Sequence, residues 1–128
     1  MLSYLKVIGF LIISFASIIS GSAQSLHLGD WTGTLTPMNH PDMHLPMKYI
    51  VSEDNDNVTL TLVTENGTTT EARNIKMTKS TLAFVFNETD ANVELTCHFN
   101  KDKVGRYKGK CQDKMGKWGL FTMIPPPE

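Results

Sequence analysis

The stretch GDWTGTLT, residues 29–36, decides the fold. A tryptophan set among small and β-branched residues is typical of a strand, because such side chains pack well on a pleated surface. Pro37 follows directly, and we predict that the strand ends there because proline lacks the N–H that a ladder needs. Gly29 and Gly33 let the backbone bend around the indole ring. The stretch therefore predicts the first strand of a curved sheet.

The chain that follows alternates between apolar and polar residues, and none of it shows the apolar period of a helix. Turn residues interrupt the alternation at short intervals, and Asn66-Gly67 is the strongest hairpin signal. We predict an all-β, up-and-down antiparallel meander that closes into a barrel, because closure hides the edge strands. About eight strands are expected, near residues 30–36, 45–52, 58–63, 70–77, 82–86, 93–99, 106–111 and 117–124.

Alternate residues of a strand point to the same face of the sheet, so the odd or even parity of the apolar positions identifies the side chains that face inward. Trp31 is expected to plug one end of the barrel, so a ligand site is expected at the opposite mouth. An eight-stranded barrel is wide enough either to be filled by its own side chains or to hold one small ligand. The other inward residues are predicted to be Leu35, Met47, Tyr49, Val51, Leu60, Leu62, Ile75, Met77, Phe84, Phe86, Leu95, Phe99, Tyr107 and Leu120.

The first 23 residues are typical of a secretory signal rather than of the fold. Lys6 precedes a short apolar run, and the small residues Ser20-Gly21-Ser22-Ala23 follow it. We predict cleavage near Ala23, which leaves residues 24–128 as a single domain without a transmembrane span. A retained membrane anchor is the alternative, although the run is short for a span. The two cysteines, Cys97 and Cys111, predict a disulfide in a secreted or periplasmic protein, with two free buried thiols as the alternative.

Two short motifs resemble the small secreted bacterial barrels of the lipocalin-like, or calycin, group. The first strand reads G-x-W-x-G-x-L from Gly29 to Leu35, and a later strand reads Tyr107-x-Gly109-x-Cys111 before a glycine-containing turn. The resemblance implies a barrel that binds a small ligand. It also implies a cation above the tryptophan, for which Lys117 and Arg106 are the candidates.

The leading functional hypothesis is a non-enzymatic binding protein that takes a small apolar or amphipathic ligand at the barrel mouth. The residues expected to contact the ligand are Met47, Tyr49, Phe84, Phe99 and Tyr107. A barrel filled by its own side chains would instead act through its outer surface. In that case Arg106, Lys108 and Lys110, which alternate outward on one strand, form a basic patch for an anionic or protein partner.

A third hypothesis concerns the loop between the first two strands, which is rich in methionine and histidine. Copper would be held by soft and borderline donors, and zinc by imidazole and carboxylate groups. The candidate ligands are Met38, His40, Asp42, Met43 and His44. A polar loop with its methionines folded on the barrel mouth is the alternative, and no other cofactor is expected.

Several function classes are disfavoured. The net charge of −1 for the whole chain argues against a nucleic-acid partner. Neither a nucleophile elbow nor a Gly-rich phosphate loop is present, so no catalytic residue is predicted. Asn57, Asn66 and Asn87 each begin an N-x-T acceptor triplet, whose use depends on a eukaryotic secretory pathway.

Overall fold

The computed structural model describes residues 26–89 and 92–127. The predicted signal segment, residues 1–23, lies outside this part of the chain. The described residues form one antiparallel sheet of nine strands. The strands are β1 Gly29–Pro37, β2 Leu45–Asp54, β3 Asn57–Val63, β4 Thr69–Glu71, β5 Arg73–Met77, β6 Thr81–Glu88, β7 Val93–Lys101, β8 Tyr107–Gln112 and β9 Trp118–Met123. In these residues no helix is long and apolar enough to cross a membrane.

The sheet curls into a nearly closed barrel, which confirms the predicted all-β meander. Around the sheet the strands follow the order β4-β3-β2-β1-β9-β8-β7-β6-β5. The first and last strands therefore pair with each other, with Leu35 opposite Phe121. The two edge strands, β4 and β5, are joined in the chain by a single residue, Ala72.

The predicted strand 70–77 is in fact two strands. The first half pairs with β3, and the second half pairs with β6. Ala72, which is buried, donates its N–H to the carbonyl of Leu60 at 2.8 Å before the chain turns away from β3. A residue in the left-handed region, Asn74, and a register shift between Arg73 and Lys76 follow. The break arises because one short segment has to leave one sheet edge and join the other to close the barrel.

One end of the barrel, which we call the closed end, is sealed by Trp31. The indole is only 2% exposed, and its Nε1 donates to the carbonyl of His27 at 2.8 Å. The Tyr107 ring lies against it, with a centroid distance of 5.9 Å. The tryptophan is therefore held by the ring of Tyr107 and by the segment that precedes β1.

Beside Trp31 the interior is filled by a layer of large side chains. Tyr49, Leu60, Phe84 and Phe99 are each at most 1% exposed. Phe84 and Phe99 pack edge to face, with ring centroids 5.4 Å apart. The Tyr49 hydroxyl donates to the carbonyl of Thr122 at 2.9 Å, which satisfies the polar atom of this buried ring. The lower half of the barrel is thus a packed core.

The predicted inward position of Leu120 is wrong. Phe121 and Met123 face the core, at 2% and 0% exposure, while Leu120 lies opposite Lys110 on the outer surface. Apolar residues occupy both parities of β9, so alternation could not decide between its faces. Phe121 is the register partner of Gly109 on β8, and this pairing turns Phe121 to the interior.

The disulfide between Cys97 and Cys111 is present, as predicted. The two cysteines are direct register partners on β7 and β8, and both face the interior. The bridge therefore ties together two neighbouring strands next to the aromatic core.

Candidate ligand cavity

A cavity of about 210 Å³ opens at the end of the barrel opposite Trp31, which we call the open end. It lies where β1 ends and where β2 and β9 begin, above the packed layer. Most of its surface is hydrocarbon or aromatic, and the disulfide contributes through Cys111. The apolar wall is made by Leu35, Met47, Leu62, Phe86, Leu95 and Phe121. A pocket of this kind favours an apolar group, because the group leaves water on entering.

The rim of the cavity is polar. Its hydroxyl and charged residues are Thr64, Thr68, Thr70, Glu88, Thr89, Asp113 and Lys117. Asp113 is committed to its own turn, because its Oδ1 accepts the N–H groups of Met115 and Lys117, each at 2.9 Å. The Lys117 ammonium stays at the solvent-exposed edge of the mouth. The arrangement suits a ligand with an apolar body and a polar end.

The structure separates the five residues that the sequence assigned to the ligand. Met47 lines the cavity, but Tyr49, Phe84 and Phe99 lie in the packed layer beneath it. Tyr107 lies at the closed end against Trp31. Parity alone identifies inward residues without giving their height along the barrel.

Five other wall residues were not assigned to the ligand by the sequence reasoning. Four of them, Leu35, Leu62, Phe86 and Leu95, did belong to the predicted inward set. Their distance along the strands from Trp31 was the signal that could have placed them at the mouth. The fifth, Phe121, was missed because the parity of its strand was misread.

The methionine and histidine loop follows β1 at the open end. Its backbone forms two successive turns, since His40 N donates to Pro37 O and Met43 N donates to His40 O, at 3.1 and 2.9 Å. The Nδ1 of His44 hydrogen-bonds to the Thr36 hydroxyl at 2.8 Å. Met38 and Met43 are 40% and 42% exposed. Within the described ranges, no three His, Cys, Asp or Glu side chains lie close enough together to hold a metal ion.

The basic residues on β8 lie where the sequence placed them, although they are not equivalent. Lys108 and Lys110 are exposed on the outer face, opposite Asn100 and His98 of β7. Arg106 instead belongs to the β7–β8 turn, where its Nε lies 3.0 Å from the Asp102 carboxylate.

The same turn supplies hydrogen bonds to the Asp102 carboxylate. The N–H of Arg106 and that of Val104 each donate to Oδ1 at 2.9 Å. These hydrogen bonds, led by that from the Arg106 backbone, together with the nearby guanidinium, lower the pKa of Asp102 below its ordinary value. The charge of Arg106 is therefore partly neutralised within its own turn.

Comparison with known proteins supports the architecture. No protein-family model matches the chain, and no curated protein matches it in sequence. Among solved structures, the chain is similar to a redesigned β-barrel, with 12% sequence identity and a TM-score of 0.58. The match covers 84% of this chain and 95% of the redesigned barrel. At this level of identity the likeness shows the fold alone, which is a β-barrel.

Proposed function

We propose that this protein is a secreted or periplasmic binding protein of the lipocalin-like kind, which takes a small amphipathic ligand into the cavity at its open end. The observation that carries the proposal is the apolar cavity of about 210 Å³ above an otherwise packed core. A barrel whose only role were structural would gain stability by filling this volume, because an unfilled apolar cavity sacrifices packing contacts.

The two ends of the barrel define how the ligand enters. Trp31 and Tyr107 seal the closed end, so the apolar part of the ligand is inserted through the rim. The wall offers hydrocarbon and aromatic contacts and the rim offers hydroxyls and charges. The volume suits a small aromatic molecule or a short acyl chain rather than a large lipid.

Binding without catalysis fits this geometry, because hydrocarbon, aromatic and disulfide groups surround the part of the ligand that is inserted. The disulfide between Cys97 and Cys111 supports an oxidising compartment such as the periplasm or the extracellular space. The motif from Gly29 to Leu35 supports the same class of protein. Gly33 and Trp31 serve the barrel itself, whereas Leu35 reaches the cavity wall.

The experiment is a titration with N-phenyl-1-naphthylamine, a neutral amphipathic fluorophore whose emission rises in apolar surroundings. We expect saturable binding by the wild-type protein. In the variant Leu95→Trp, which fills the mouth from β7, we expect the dissociation constant to rise at least about tenfold, equivalent to about 1.4 kcal/mol. The matched control is Leu120→Trp, which adds the same ring to the outer face of β9 and should leave binding unchanged.

Circular dichroism and urea midpoints establish that both variants are folded. A wild-type protein that gives no saturable rise in fluorescence would refute the proposed cavity function. Equal affinities for the wild-type protein and for folded Leu95→Trp would refute it too, since the probe would then be bound elsewhere.

A further inference from the structure

The two halves of the barrel carry opposite charge. Residues 26–71, which form β1 to β4, contain seven acidic residues and one lysine. Residues 72–127, which form β5 to β9, contain ten lysines and arginines and five acidic residues. Because the strand order keeps each half contiguous in the sheet, the barrel has an acidic side and a basic side.

At the closed end this separation is concentrated in the turns. The end of β2 and the β2–β3 turn carry Glu53, Asp54 and Asp56, which we call the acidic turn. The β5–β6 turn, the end of β7 and the β7–β8 turn carry Lys79, Lys101 and Lys103, which we call the basic turns. The two basic turns are adjacent, because the N–H of Lys101 donates to the carbonyl of Ser80 at 2.8 Å.

All six of these charged side chains are exposed. The ion pairs found among residues 26–89 and 92–127 are Lys48 with Asp30, Arg73 with Glu94, and Arg106 with Asp102. None of the six belongs to these pairs. Both turns therefore present uncompensated charge to a partner.

The strand order places the two kinds of turn on opposite sides of the closed end. Between them lie the beginning of β1 and the end of β9. A two-fold axis lying in the plane of this end exchanges its two sides, so it brings the acidic turn of one copy over the basic turns of the other. The same contact then forms twice, as an isologous dimer interface requires.

Exposed apolar side chains lie at the same end. Leu28, Val104 and Ile124 are 54%, 67% and 42% exposed. They precede β1, occupy the β7–β8 turn and follow β9, so all three would be covered by a second copy. We propose that two copies of this chain associate through their closed ends, with each acidic turn on the partner's basic turns. The cavities then face outward at the two far ends of the dimer.

Sedimentation velocity on the processed protein, expressed from the full-length sequence, tests the proposal. At about 20 mM salt we expect a dimer, and at about 0.5 M salt a monomer, since exposed ion pairs are screened at high ionic strength. Two charge reversals are needed. One is Lys101→Glu with Lys103→Glu, and the other is Glu53→Lys with Asp54→Lys, which leaves the tight turn itself unchanged.

Each double variant alone is expected to be monomeric, with a dimer dissociation constant raised at least about tenfold. An equimolar mixture of the two is expected to form a heterodimer, because every turn then meets the opposite charge. The matched control is Lys108→Glu with Lys110→Glu on the side wall of β8. This control should dimerise like the wild-type protein and should not pair with the Glu53 and Asp54 variant.

A wild-type protein that stays monomeric at low salt would overturn the proposal, as would a mixture of reversed variants that does not associate. The side-wall control could also bind the Glu53 and Asp54 variant as tightly as the two reversed variants bind each other. Association would then depend on net charge alone, and the proposal would be overturned as well. A monomer that binds phosphatidylglycerol vesicles through Lys101 and Lys103 would assign the basic turns to lipid instead. Circular dichroism identifies any variant that fails to fold. Such a double variant is replaced by single charge reversals at the same positions.

Discussion

Gly33 controls the closure of the barrel between β1 and β9. The substitution Gly33→Ala would place a Cβ atom 1.8 Å from the carbonyl oxygen of Thr122 and 2.7 Å from its carbonyl carbon. Both neighbours are backbone atoms, so no side-chain rotation relieves the overlap. We expect the alanine variant to push β9 away from β1.

Three hydrogen bonds around this contact set the magnitude. The hydroxyl of Tyr49 donates to the carbonyl of Thr122 at 2.9 Å, and Thr34 N donates to the Thr122 hydroxyl at 2.9 Å. The two threonine hydroxyls are 3.0 Å apart and form the third bond. Each bond contributes about 1 kcal/mol net, and strain from overpacking adds about 1–3 kcal/mol. We therefore expect a loss of about 4–6 kcal/mol, a large fraction of the stability of a small domain.

Urea unfolding followed by circular dichroism measures this loss. Gly119→Ala is the control, because its Cβ would meet the mobile Cδ1 of Leu35 at 2.7 Å, while the nearest backbone oxygen is 3.4 Å away. That variant should lose less than about 1 kcal/mol, because Leu35 can rotate into the cavity. A Gly33→Ala protein within about 1 kcal/mol of wild type would refute the reasoning. Equal losses in the two variants would also refute it.

Two further changes have expected outcomes. Replacing Cys97 and Cys111 by alanine should lower the free energy of unfolding by about 3 kcal/mol, given their separation of 14 residues. An unchanged urea midpoint in the double variant would contradict this. Burial raises the pKa of Tyr49 above its ordinary value of 10.0, so the folded state keeps the phenol protonated and stability is lost as the pH rises above about 10. Urea unfolding from pH 9 to 11 should show this fall, and Tyr49→Phe should remove most of it. An unchanged slope in that variant would assign the fall to other groups, such as Tyr107, whose pKa burial also raises.

Local alternation was enough to predict the barrel, because several strands, such as β2, have one clearly apolar face. Met47, Tyr49 and Val51, for example, are all buried as their alternation on β2 requires. Where a strand is apolar on both parities, as around Leu120 and Phe121, only the register with β8 decides the inward face. The break at Ala72 could not be predicted from alternation either. It depends on which two strands the segment pairs with, and local sequence does not give that pairing.

The cavity was harder to predict than the fold. Its position depends on the height of each inward residue along the barrel axis, and this height follows from strand pairing rather than from parity. Tyr49 and Met47 share a face of β2, yet only Met47 reaches the open end. The cavity lies at the end opposite Trp31, where the sequence predicted the ligand site, but most of the residues that the sequence assigned to the ligand lie outside it.

The two proposed sites lie at opposite ends of the barrel, and a packed layer separates them. Phe84 and Phe99 fill the middle of the barrel, and the disulfide braces the strands beside them. A change at the closed end, such as reversal of Lys101, is therefore separated from the cavity wall at Leu95 by this packed layer. Ligand affinity is expected to be the same in monomer and dimer. A wild-type protein that binds the fluorophore but does not dimerise would therefore refute only the proposed self-association. Loss of fluorophore binding in Leu95→Trp with an intact dimer would in turn support the cavity independently.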